Sequence, residues 1–161
     1  MKRAVIGIGN PHEGKDRAGI IIARRVASVC KVDGVILYDL FELVDKLLEY
    51  DFVVIVDTIF GSSEGKVHVF ELDELREVNP PFRLTHSIDL TTALKLAHEL
   101  FGDEIAETFI VLLEVKNLND ESEEFRRGLM EAVKVVITLL TAKKLYSNRP
   151  NTNSAMMKGP L

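Results

Sequence analysis

The run Phe52-Val53-Val54-Ile55-Val56, stopped by Asp57, is apolar at every position. A strand with one wet face alternates in polarity. One that does not alternate is covered on both faces, as the strands of a parallel sheet are. Phe109 to Leu113 repeats the pattern, and Arg3 to Ile8 is a shorter Val/Ile-rich strand followed by glycine. The covering layers are legible too. Ile22, Val26 and Cys30 recur at helical spacing between Asp16 and Cys30. Phe41 to Tyr50 reads as a helix with Phe41, Val44, Leu47 and Leu48 on one side, and Ser87 to Leu100 as a helix with Ser87 at its N-cap. A long amphipathic helix follows from about Glu121 to Leu145. A second short strand, Val35 to Tyr38, comes after the turn Asp33-Gly34, and Lys66 to Phe70 alternates like an edge strand. The expected fold is a three-layer α/β/α sandwich around a mostly parallel sheet of about five strands, with one edge strand antiparallel. Residues 1–146 are expected to form a single α/β domain, and the polar stretch 147–161 a flexible tail.

Composition narrows what such a domain does. The net charge is −5, and Arg24-Arg25, Arg126-Arg127 and Lys143-Lys144 are isolated pairs rather than a basic face, which argues against nucleic acid. No apolar run approaches the roughly 20 residues needed to span a bilayer. Met1-Lys2-Arg3 leads straight into a strand, without the apolar region of a signal peptide. The single cysteine, Cys30, excludes an internal disulfide and an all-thiolate metal site, and its helical neighbours make it a buried, inert thiol. A cytoplasmic, monomeric protein without membrane insertion is the expectation.

The stretch "GIGNPHEGKDRAG", Gly7 to Gly19, joins the first strand to the first helix. A dinucleotide fingerprint needs a third glycine where His12 stands, and a P-loop needs a Gly-Lys-Ser/Thr that is missing. The carboxylates suggest something else. In open α/β sheets ligands gather outside the carboxyl ends of the strands. Asp16 falls there, at the start of the first helix, where the helix dipole favours its ionised form. Asp57 closes the third strand at the same edge, and His86 lies just before the helix that begins near Ser87. Two carboxylates and an imidazole suit a divalent first-row metal. Taken singly, each is better explained as a cap or surface group, and spacing alone does not settle the metal reading. His12 and Glu13 lie in the turn itself; His68 and His98 have no obvious partner in the sequence.

"VIGIGNPHEGKDRAGIIIARRV", "YDFVVIVDTI" and "LTHSIDLTTAL" together resemble, in order and spacing, the hydrogenase maturation endopeptidases. The resemblance runs from about Arg3 to Leu145. Gly7, Gly9, Asn10, Asp16 and Gly19 fill positions of that family's opening GxGN…DDGxG motif, and "FIVLLEVKNLN" falls at its last core strand. The resemblance implies an endopeptidase that removes a C-terminal extension from the large-subunit precursor of a nickel-containing hydrogenase. It implies that Asp16, Asp57 and His86 contact nickel, carried by the precursor rather than held by the enzyme. Lys15 and Arg17 replace the first acid and the glycine of the DDG triplet, so two cations are expected beside Asp16, offsetting its charge. The family's Gly-Gly-Thr stretch after the second strand is missing, because "YDLFELVD" goes almost directly into a helix.

Two other functions stand beside this one. A non-catalytic metal- or peptide-binding module of the same family would use the same cleft. "IGIGNP" also looks like the opening of peptidyl-tRNA hydrolases, although Lys15-Asp16-Arg17-Ala18 arrives where that family has a longer turn, and the acidic balance disfavours tRNA.

Overall fold

The computed structural model describes residues 1–77, 83–84 and 90–147. Its parallel strands are β1 (Arg3–Ile8), β2 (Asp33–Leu37), β3 (Phe52–Phe60) and β6 (Glu107–Val115). Two more are antiparallel, β4 (Val67–Glu71) and the two-residue β5 (Arg83–Leu84). The helices are α1 (Ala18–Cys30), α2 (Leu43–Glu49), α3 (Leu72–Glu77), α4 (Leu90–Phe101) and α5 (Glu123–Ser147). The sheet runs β2-β1-β3-β6-β4, with β5 beside β3. Neighbours among β2, β1, β3 and β6 are parallel, while β4 on β6 and β5 on β3 are antiparallel.

The central strands are covered on both faces, as their unbroken apolar runs require. Alternate residues of β3 enter two cores. Val53, Ile55 and Ile59 join Leu43 and Leu47 of α2 and Leu90, Leu94 and Ala97 of α4. Phe52, Val54 and Val56 join Ile22 and Val26 of α1 and Val133, Val136 and Leu140 of α5. Residues 52–59 of β3 are all buried, and each such apolar side chain contributes about 1.5–3 kcal/mol relative to exposure. The result is the expected three-layer sandwich.

Three details differ from the sequence expectation. β2 begins at Asp33 rather than after a turn, since Asp33 and Gly34 pair with Ala4 and Val5 of β1. The inward face of α2 is Leu43 and Leu47 with Val44 beside them, and Leu40 packs from the turn before the helix, while Phe41 is 76% exposed. The chain enters α2 through a tight 3-10 turn, Leu40–Glu42, with the Asp39 carboxylate accepting the Phe41 N–H, and this turn sets the phase of the helix. Finally, Asp57 does not end β3. It pairs with Leu112, and the ladder with β6 continues to Phe60 opposite Val115. What stops near Asp57 is the pairing with β1, whose last partners are Gly7 and Val56. The Ser87 N-cap lies outside the described residues, as does the expected tail beyond Ser147.

Candidate functional site

The opening turn is built for close packing. A Cβ on Gly19, at the start of α1, would come within 2.3 Å of the Ile8 carbonyl oxygen and 2.8 Å of that of Val56. A Cβ on Gly9 would come within 2.2 Å of the carbonyl oxygen of Asp16. Glycine at these positions therefore lets the first turn of α1 rest directly on the ends of β1 and β3. Asp16, in the 3-10 turn Gly14–Arg17 that leads into α1, is carried onto the sheet by this contact and is 3% exposed.

There, among the described residues, its carboxylate accepts two hydrogen bonds. The Asn10 N–H donates to Oδ2 at 3.0 Å, and the Thr58 hydroxyl donates to Oδ1 at 3.2 Å. Thr58 serves the second carboxylate as well, since its backbone N–H donates to Asp57 Oδ1 at 2.8 Å. Asp57 is 1% exposed and Thr58 fully buried. Two acids 41 residues apart in sequence are thus tied to one threonine at the carboxyl edge of the sheet. Burying two carboxylates is costly unless each is hydrogen-bonded or paired, so the arrangement is not an accident of surface composition. Among the described residues, no group of three or more His, Cys, Asp or Glu is disposed to hold a metal ion. His86, the third sequence candidate, lies outside the described residues.

The cations that flank Asp16 in sequence pair with other carboxylates. Lys15 is almost fully buried, and its ammonium lies 2.5 Å from Glu64 Oε1 and 3.4 Å from Asn117 Oδ1. The other Glu64 oxygen accepts the Lys116 N–H at 2.6 Å. Arg17 points outward, to the Gly14 carbonyl and to Glu121 at 3.1 Å. Both charges are matched by other carboxylates. The lysine also serves as a tie, joining the opening turn to the loops after β3 and β6.

A polar pair that sequence reasoning passed over lies beside this edge. Glu114 of β6 is 4% exposed. Its Oε1 lies 3.2 Å from His68 Nε2 on β4, and its Oε2 accepts the Ser63 N–H. The only local signal was one acid interrupting an apolar strand. The remaining candidates are peripheral. His12 and Glu13 are exposed in the turn. His98 lines a cavity at the opposite end of the sheet. Cys30, half-buried at the end of α1, has its thiol pKa raised by burial against a smaller lowering by Arg3, the opposite of an activated nucleophile.

The family model for HycI, hydrogenase maturation protease, matches residues 38–145. The chain belongs to this peptidase family. No curated protein sequence matches it. Among solved structures, it is similar to the [NiFe] hydrogenase maturation protease HybD from Thermococcus kodakarensis. That match has 24% identity and a TM-score of 0.70, covering 87% of this chain and 99% of the other. It is likewise similar to the hydrogenase maturating endopeptidase HybD from E. coli, with 18% identity, a TM-score of 0.64, and coverage of 89% and 94%. The maturation protease HycI from Thermococcus kodakarensis KOD1 shares 21% identity at a TM-score of 0.61, with coverage of 87% and 92%. At these identities the structures support the fold, and the family model carries the assignment. Among the described residues, no helix of this hydrogenase maturation protease family member is long and apolar enough to cross a membrane.

Proposed function

We propose that this chain is an endopeptidase that removes the C-terminal extension of a nickel-containing hydrogenase large-subunit precursor, acting as a cytoplasmic monomer. Asp16, Asp57 and His86 contact the nickel already inserted in that precursor. The observation that carries the reading is the junction at Thr58, which binds both acids at the carboxyl edge of the sheet.

The chemistry of the donor set fits a metal that arrives partly coordinated. Two carboxylate oxygens and one imidazole nitrogen leave positions for the precursor's own ligands. The metal then acts as the recognition signal and seats the neighbouring peptide bond in the cleft, converting hydrolysis into a reaction between positioned partners. The half-buried Cys30, its thiol pKa raised by burial, is not an activated nucleophile, which supports hydrolysis by water rather than by an enzyme thiolate.

The test is mass spectrometry of large-subunit precursors incubated with the protein, with and without nickel. Loss of the extension from the nickel-loaded form alone is the expected result. Asp16→Ala, Asp57→Ala and His86→Ala should each abolish it while leaving the circular dichroism spectrum unchanged. Retention of the precursor with no change in its mass would favour the non-catalytic binding module instead.

A further inference from the structure

Resting on the proteolytic reading above, we infer that an apolar groove between α2 and α4 docks an amphipathic helix of the precursor, one whose apolar face is flanked by lysine or arginine.

The two helices cover the same face of the sheet. Leu43 and Leu47 of α2 share a core with Leu90, Leu94 and Ala97 of α4, and α4 lies between α2 and α3. Because α2 leaves β2 for β3 and α4 leads into β6, both run from the carboxyl edge to the amino edge. An α-helix turns about 100° per residue. Val44 and Leu48 therefore lie about 100° round α2 from its buried leucines. Ala93, Leu96 and Leu100 lie about 100° round α4 from its own buried residues, in the opposite sense. With a right-handed crossover from β2 to β3, the two stripes face each other across the helix pair. Val44 and Ala93 are half-buried and form the floor. Leu48 is 38% exposed, Leu96 49% and Leu100 62%. Single exposed apolar residues are ordinary, whereas a contiguous apolar strip between two helices is a form in which partner helices are bound.

The rim selects the charge of the occupant. Asp45 stands three residues before Leu48 and Glu99 three after Leu96, so each borders the strip on its outer side, and both are exposed. The lysines of the two helices, Lys46 and Lys95, fall on the flanks away from the groove, and Lys46 pairs with Glu49 at 3.0 Å. A second copy of this chain would set acidic rim against acidic rim, at a net charge of −5 per chain. A helix with apolar residues at i, i+4 and i+7 between basic flanks meets both the strip and its rim, and Ala93 to Leu100 spans about 10 Å, two turns of such a helix. The groove opens at the carboxyl edge, where Phe41 and the first turns of both helices lie beside the end of the sheet that carries Asp16 and Asp57. A precursor seated on those acids reaches it over the surface.

Binding of nickel-loaded precursor to the full chain, together with its single-turnover cleavage, tests this. Leu96→Asp combined with Leu100→Asp should raise Kd by about 30-fold or more, and KM with it, while kcat stays within about twofold. Asp45→Lys combined with Glu99→Lys should raise Kd by about tenfold at low salt, a difference that shrinks at about 1 M salt. Val29→Asp, at an equally exposed position on α1, should bind as the wild type does. Unchanged Kd in the leucine variant overturns the docking site, and so does an equal loss in Val29→Asp or tighter binding after the charge reversal. A wild-type dimer that Leu96→Asp dissociates in sedimentation also overturns it, by giving the groove to a second copy. In each of those cases cleavage by the wild type keeps the proteolytic reading standing. Precursor held through the groove but never cut removes that reading and retains the docking site. Protein that neither binds nor cuts the precursor overturns both.

Discussion

The two ends of the sheet both collect acids, and they do so in opposite ways. At the carboxyl edge Asp16, Asp57 and Glu114 are at most 4% exposed, and each accepts hydrogen bonds from named donors. At the amino edge of β6 a cavity of about 450 Å³ is lined by Asp51, Glu71, Asp73, Asp103, Glu104 and Glu107, all exposed. Their charges are solvated or met at the surface, as in the Lys143–Glu107 pair and the Lys2 N–H that donates to Asp51 at 2.6 Å. Among the described residues, the longer roll of acids lies at the amino edge. What distinguishes the carboxyl edge is desolvation. Carboxylates removed from water are kept charged only by built contacts, whereas exposed ones need none.

The sharpest way to break this contrast is to neutralise each edge separately. Asp57→Asn should reduce precursor processing by at least about 100-fold, the scale of a lost charged contact at a reacting centre. Asp51→Asn combined with Asp103→Asn should leave processing within about twofold. Mass spectrometry of the precursor reads both. Equal losses at the two edges would remove the basis for placing the site.

Stability should divide along the same line. Lys15→Met removes the buried partner of the half-buried Glu64 and is expected to cost about 3 kcal/mol in urea unfolding. Arg17→Met removes an ion pair whose partners are 47% and 40% exposed, and should cost less than about 1 kcal/mol. Thr58→Val falls between them. It withdraws a buried hydroxyl from Asp16 while keeping the Thr58 N–H on Asp57, for about 1–3 kcal/mol. If Lys15→Met proved no worse than Arg17→Met, the tie between the opening turn and the later loops would be dispensable.

The same distinction explains what was legible in the sequence. Burial on both faces writes itself locally, as unbroken apolar runs, so β3, β6 and the layered architecture could be read. The glycine turn was equally visible, and it placed Asp16 at the start of α1. Contacts between distant residues leave no such trace. Lys15 and Glu64 are 49 residues apart, and His68 and Glu114 are 46 apart, so neither partner announces the other. Asp57 read as the end of a strand because charge usually stops an apolar run. The ladder with β6 carries it three residues further, since Thr58 and Ile59 remain good strand residues and the carboxylate is satisfied in place. Asp33 and Gly34 failed for the converse reason. Their side chains give no strand signal, yet pairing with β1 holds them extended.

The smallest expected effect probes the amino edge by pH. Tyr50 borders the cavity there, and its hydroxyl donates to Asp33 Oδ2 at 2.9 Å. Burial first, then that hydrogen bond and the neighbouring negative charges of Asp33 and Glu49, push its pKa from 10 up to about 12. A phenol whose proton is held more tightly in the folded state contributes stability that is complete below pH 10. That contribution is lost as pH rises from 10 through about 12, where the folded protein must also ionise. The difference in unfolding free energy between wild type and Tyr50→Phe should therefore shrink steadily across that window, with lysine titrations common to both proteins cancelling. Urea unfolding at half-unit steps from pH 9 to 12 measures it. Precursor processing at neutral pH should be the same in both proteins, because the phenol sits at the end of the sheet away from the buried acids. A processing defect in Tyr50→Phe, with its stability difference flat across the window, would mean that the two edges are coupled and that burial alone does not separate them.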